Sequence, residues 1–102
     1  MKLKEPGVCC SIDEIREEID KIDSNIISMF SERMKYVEEI VRFKTDEEGV
    51  VAAARKEQVI NARAKWAENH GLDPDTFRKI YTLLVERNIQ HELELLKAKA
   101  KS

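Results

Sequence analysis

The chain contains little that would interrupt a helix. Three glycines and two prolines are all the backbone punctuation in 102 residues. Between them stand Ala, Leu, Ile, Glu, Lys and Arg, which argues for helices and against strands. No long uncharged apolar run exists, which excludes a transmembrane span. The first fifteen residues hold no apolar stretch of signal-peptide length, so a secreted product is not expected. The two cysteines, Cys9 and Cys10, are neighbours in an N-terminal tail and cannot brace a fold; they read as reduced thiols of a cytoplasmic protein. Nor is there an excess of one charge, with 18 Lys and Arg against 20 Asp and Glu. That balance gives no electrostatic case for a nucleic-acid or membrane-surface partner. A Gly-rich phosphate loop, internal repeats and low-complexity segments are all lacking. His70 and His91 have no second ligand at metal spacing, so no metal and no other cofactor is expected.

What remains is a chain in which 37% of side chains are charged and 42% hydrophobic, long enough for one domain with a modest core. Residues 1–10 read as a ragged tail, 11–99 as one helical domain and 100–102 as a short C-terminal tail. Ser11 with Glu14 three residues later forms a capping box that starts the first helix. The acidic run Thr45-Asp46-Glu47-Glu48-Gly49 ends it. A second helix is expected from about Ala53 to Asn69, with Gly71 as its left-handed stop. Asp73 and Pro74 then supply a cap and an N1 proline for a third helix that continues towards Lys99. The fold class is therefore all-α, with three helices and a very long first one. About 33 residues at ~1.5 Å each give roughly 50 Å, far beyond the ~13 Å radius of gyration of a globule this size. Such a helix needs an apolar surface that the monomer does not supply, and an intertwined homodimeric bundle provides it.

Two cations interrupt the apolar stripe of helix 1, which runs Ile12, Ile15, Ile19, Ile22, Ile26, Met29, Val37, Ile40 at alternating spacings of three and four. Arg33 and Lys44 occupy slots where the pattern asks for Leu or Ile. At about 100° per residue, positions 15, 22, 26, 33, 37, 40 and 44 fall within an arc of roughly 60°. An unpaired buried charge is costly, so either an anion meets these two cations or their side chains snorkel outward or pair with acids. Arg16 lies about 100° from this face; it can reach only the equivalent site of a partner chain.

The third helix has the same irregularity. Its stripe is Phe77, Ile80, Tyr81, Leu84 and Leu95, and Asn88 stands where an apolar residue is expected. Glu92, one turn on, is flanked by Val85, Ile89 and Leu96; such surroundings raise a carboxyl pKa and let it donate a proton in a hydrogen bond. The alternative is a half-exposed Glu at the edge of the stripe. On helix 2, Arg55 and Arg63 bracket Val59 on the side of Trp66, and Arg63 reads as a surface residue. His70 reads as decoration of a helix C-terminus, and the terminal lysines as a solvated, frayed end.

Cations, an amide and one carboxyl thus converge, without a nucleophile, a metal or an evident base. The set suits a small dianion and the stabilisation of developing charge without covalent catalysis. A competing reading is a non-catalytic helical dimerisation module whose polar interruptions only set register.

Over residues 9 to 97 the chain resembles the all-helical chorismate mutases, in the branch that includes isochorismate pyruvate lyase. The carriers are Ile15-Arg16-Glu17-Glu18-Ile19-Asp20 with Ile22-Asp23, then Arg33-Met34, Tyr36-Val37, Arg42-Phe43-Lys44, Arg63-Ala64-Lys65-Trp66-Ala67-Glu68 and Gly71-Leu72-Asp73. The resemblance implies a homodimer with two active sites, each borrowing Arg16 from the other subunit. It also implies that Arg33, Arg55 and Asn88 bind substrate and that Lys44 and Glu92 face the ether oxygen of the breaking bond. The implied substrate is chorismate, rearranged to prephenate, or isochorismate, split to salicylate and pyruvate. One departure stands out: Lys56 occupies the place of a Glu that in typical mutases binds the ring hydroxyl, and Ala52 replaces an acidic residue a turn earlier. The lyase branch lacks both acids as well.

Overall fold

Helix-forming sequence with sparse punctuation gives an all-helical chain. The computed structural model describes residues 1–101, and no strand occurs among them. Four α-helices follow one another: α1 (Ile12–Ile40), α2 (Glu47–Val51), α3 (Ala53–Asn69) and α4 (Pro74–Lys101). Short 3₁₀ turns lie at Pro6–Val8 and Val41–Phe43. The three long helices are those the sequence predicts, and α3 has the expected limits. The fourth, α2, is a five-residue helix inside the segment read as a loop; the Asp46 carboxylate accepts from the Gly49 amide at 2.7 Å and nucleates it.

By their contacts the residues fall into two units, Met1–Tyr36 and a second beginning at Val37. In the first, Ser11 Oγ accepts from the Glu14 amide at 3.1 Å, while the Glu14 carboxylate reaches back to the amide of Cys10 rather than to that of Ser11. The capping box is therefore displaced outward by one residue. The segment before it, expected to be ragged, is tied to α1. The Lys4 amide donates to Glu18 Oε2 at 2.9 Å and its ammonium lies 3.3 Å from Glu14 Oε1. Between tail and helix lies an apolar cleft of about 270 Å³, bordered by Leu3, Pro6, Cys9, Ile15, Ile19 and Ile22. The Cys10 amide and Lys4 hold the Glu14 carboxyl below the usual range, and Lys21 with the Lys4 amide does the same for Glu18.

Apart from Val37, no residue of α1 is buried. Ile12, Ile15, Ile19, Ile22, Ile26 and Met29 remain 37% to 62% exposed. At 29 residues the helix is about 44 Å long, somewhat shorter than expected, because the chain tightens into the 3₁₀ turn after Ile40.

The second unit has a core of Val37, Val41, Val50, Val59, Ile60, Ala64 and Ala67. Its principal contact is α3 against α4. Ala64, 1% exposed, lets the two backbones approach. Helix α3 ends in a Schellman turn: Gly71 has φ +75°, and the Leu72 amide donates to the Ala67 carbonyl at 2.8 Å. His70 Nδ1 donates to the Trp66 carbonyl at 2.8 Å, the helix-terminal role expected of it. Asp73 then caps α4, accepting from the Thr76 hydroxyl at 2.6 Å and the Thr76 amide at 3.0 Å.

Those Thr76 bonds hold the Asp73 carboxyl below the usual carboxylate range. A folded-state value below the unfolded one means that the cap contributes fully above the unfolded titration and is lost as pH falls through the folded one. Asp73→Ala should lower the thermal midpoint at neutral pH, and the gap from wild type should close in acid. Melting curves from pH 7 to pH 2 measure this; a gap that persists unchanged in acid contradicts it.

Candidate active site

Among the described residues, Asn88 and Glu92 are the two buried polar ones, 4% and 8% exposed. They sit one turn apart on α4, so both side chains leave the same face of the helix. Burying an amide and a carboxyl together is a costly arrangement unless both are hydrogen-bonded. Both have partners within the fold, as buried polar groups must.

Lys44 is held differently from the way its spacing suggests. Helix α1 ends at Ile40, and Val41–Phe43 form a 3₁₀ turn. Lys44 caps that turn in extended conformation, φ −95° and ψ 138°, with its amide donating to the Val41 carbonyl at 3.1 Å. It is therefore not a member of the helical stripe, and the angular argument that aligned it with Arg33 does not apply. Its side chain is half-buried, and the aliphatic stem runs beside Gly49, where an added Cβ would stand 3.6 Å from Lys44 Cδ.

Lys99 holds this turn against α4. Its ammonium donates to the carbonyls of Val41 and Arg42 at 3.3 Å each and of Lys44 at 3.2 Å. The sequence reading placed it in a frayed terminus; α4 instead continues to Lys101. Lys99 follows Glu92 by seven residues, two turns and about 10.5 Å along the same face. That spacing was legible, although it gives no sign that three carbonyls converge opposite it.

The other cations divide. Arg33 on α1 is half-buried and has a partner. Arg16 is exposed, with its guanidinium 4.0 Å from Asp13. Arg55, exposed on α3, donates to Gln58 at 2.8 Å. Arg63, expected at the surface, is half-buried, its guanidinium 4.5 Å above the Trp66 ring and 5.8 Å from that of Tyr81. Lys56 pairs with Glu86 of α4 at 3.1 Å, and His91 Nε2 lies 2.9 Å from Glu38 Oε2. Sequence patterning picked out neither pair, since each joins residues at least 30 positions apart. Among the described residues no three His, Cys, Asp or Glu side chains are grouped as metal ligands.

A buried amide and a buried carboxyl one turn apart on a helix are groups that can hydrogen-bond a small polar molecule. The profile of the chorismate mutase type II family matches residues 15–93, and the chain belongs to that family. It is 33% identical over 92 residues to an isochorismate pyruvate lyase of Pseudomonas aeruginosa, covering 90% of this chain and 91% of that one.

An amide as buried as that of Asn88 leaves its neighbour unsatisfied when removed. Asn88→Ala should therefore cost about 1–3 kcal/mol of stability, read from the urea midpoint at constant slope. A change below about 0.5 kcal/mol, the scatter of ordinary surface substitutions, would show that the amide is solvated after all.

Proposed function

We propose that the protein is a chorismate mutase that converts chorismate to prephenate. The observation that carries this reading is the buried pair Asn88 and Glu92 on α4, in a chain whose family is that of the type II mutases. The rearrangement breaks the ether C–O bond and forms a C–C bond within one molecule, so it needs no external acid, base or cofactor. Catalysis then consists of holding the folded conformer and stabilising the charge that grows on the ether oxygen. Lys44 and the protonated Glu92 are assigned as donors to that oxygen. Arg33 and Arg16 of the partner subunit clamp the two carboxylates in bidentate fashion, with Arg55 and Asn88 completing the pocket.

This assignment makes the protein a homodimer. The exposed isoleucines of α1 support it, because a row of half-exposed Ile12, Ile15, Ile19, Ile22 and Ile26 is the surface that a second copy would cover. Exposure of Arg16 suits a residue that serves another subunit.

A second reading is favoured by the Pseudomonas aeruginosa relative and by Lys56. Under it the substrate is isochorismate, split to salicylate and pyruvate in the same pocket. With Lys56 paired to Glu86, position 56 offers no carboxylate for a ring hydroxyl. Parallel assays of chorismate loss and salicylate fluorescence separate the two activities. Mutase turnover is expected to dominate; salicylate as the main product would replace the first reading with the second.

Lys44→Ala should lower kcat by ~10²–10³, as the loss of one oxyanion donor does. Wild-type activity should fall as pH rises through the titration of Glu92, because an ionised carboxylate repels the developing charge. Glu92→Gln should flatten that profile. An alkaline gain in the wild-type enzyme contradicts the role given to Glu92.

If Arg16 acts across the dimer, Arg16→Ala and Arg33→Ala chains, each inactive alone, should complement one another. Half of the co-refolded dimers are mixed and carry one intact site of two, so about a quarter of wild-type activity should return. No recovery in dimers shown to be mixed would place Arg16 in its own subunit's site, or in none.

A further inference from the structure

We infer that Lys99 is a positioning residue, which holds the Val41–Phe43 turn so that Lys44 is presented to the site in one place. The inference rests on the catalytic role proposed above for Lys44. Three observations carry it. The Lys99 ammonium meets the carbonyls of Val41, Arg42 and Lys44 at 3.2 to 3.3 Å, so a single cation with several N–H donors gathers three acceptors of one turn. Those acceptors lie in and just after the 3₁₀ turn that follows α1, where a cation compensates the negative end of the helical segment; that of Val41 also accepts from the Lys44 amide. Lys99 also shares a face of α4 with Asn88 and Glu92, so the helix that carries the buried pair fixes the turn that carries Lys44.

Without the ammonium, the carbonyls of this partly exposed turn are left to water. The buried Val41 still anchors the turn by packing, but the polar tie to α4 is lost and the Lys44 stem has a looser origin. The remaining polar constraint on Lys44 is its own amide, bonded to Val41 at 3.1 Å, together with packing of the stem beside Gly49. Because a misplacement of about 1 Å in a catalytic group is worth ~10²-fold in rate, a modest loosening suffices to be measured.

The test uses the full chain, with Lys99→Met, Lys99→Arg, Lys44→Ala and the double variant Lys44→Ala/Lys99→Met. Lys99→Met should lower kcat about ten- to a hundred-fold with a smaller change in KM, and Lys99→Arg should recover part of the loss, since a guanidinium still donates to several carbonyls. In the Lys44→Ala background, Lys99→Met should have no further effect on kcat, because the group it positions is gone. Hydrogen exchange of the peptide spanning residues 41–46 should quicken in Lys99→Met while that of α3 stays unchanged. Additive losses in the double variant, an unchanged kcat, or unchanged exchange over 41–46 would each overturn the role of Lys99. A wild-type enzyme inactive towards both chorismate and isochorismate would instead overturn the functional reading, and with it the catalytic half of this inference; the exchange measurement still decides whether Lys99 holds the turn.

Discussion

The second unit is organised by the close approach of α3 and α4. Ala64 and Ala67 are the small residues that permit it. Val59 and Ile60 belong to the same core, and the helix that packs there, α4, also carries Asn88 and Glu92, buried polar groups that must find partners within the fold. A carboxyl at the helix surface would be an ordinary anion; a buried one costs stability unless its oxygens are paired.

Local rules carried the reading of the sequence a long way. Gly71 at positive φ, Asp73 as cap and Pro74 at N1 are short-range devices, and they fixed the end of α3 and the start of α4 within the residues that state them. The buried positions Asn88 and Glu92 were legible for a similar reason: each is a polar letter in an apolar row, and a regular helix keeps that row on one face. The same reasoning failed at Lys44, because it assumed that the helix continued. After Ile40 the chain tightens into a 3₁₀ turn, and angles counted at 100° per residue no longer apply. Nothing in Val41-Arg42-Phe43-Lys44 announces that change. Lys99, which stabilises it, lies 55 residues from Lys44, and a contact of that range leaves no periodic trace.

The N-terminal segment was illegible for another reason. Met1 to Cys10 has no periodicity to read, and its order comes from pairings with side chains on the outer face of α1, Lys4 with Glu14 and Glu18. These are exposed ion pairs and hydrogen bonds, each weak alone. They work together because the 3₁₀ turn at Pro6–Val8 brings the segment back along the helix. Leu3 and Pro6 then cover part of the isoleucine row.

That row is where the composition of the chain and its function meet. A single copy of 102 residues has few apolar side chains to place against a helix of 29, and eight Ile and Met side chains of α1 stay at least a third exposed. Filling the stripe with polar residues would remove the exposure and, with it, any reason for two chains to associate. Under the proposed dimer, an apolar row interrupted only at Arg33 would give the association a register, since a half-buried guanidinium tolerates far fewer alignments than an isoleucine does. The same residue can then serve two ends: it restricts how helices pair, and it supplies positive charge at a fixed height along them. On this view the polar interruptions that a dimerisation module would use for register and those that a dianion-binding enzyme would use for its substrate are the same residues. What separates the two roles is Glu92, for which register alone gives no use, because an α4 that needed only to pack would be served better by leucine.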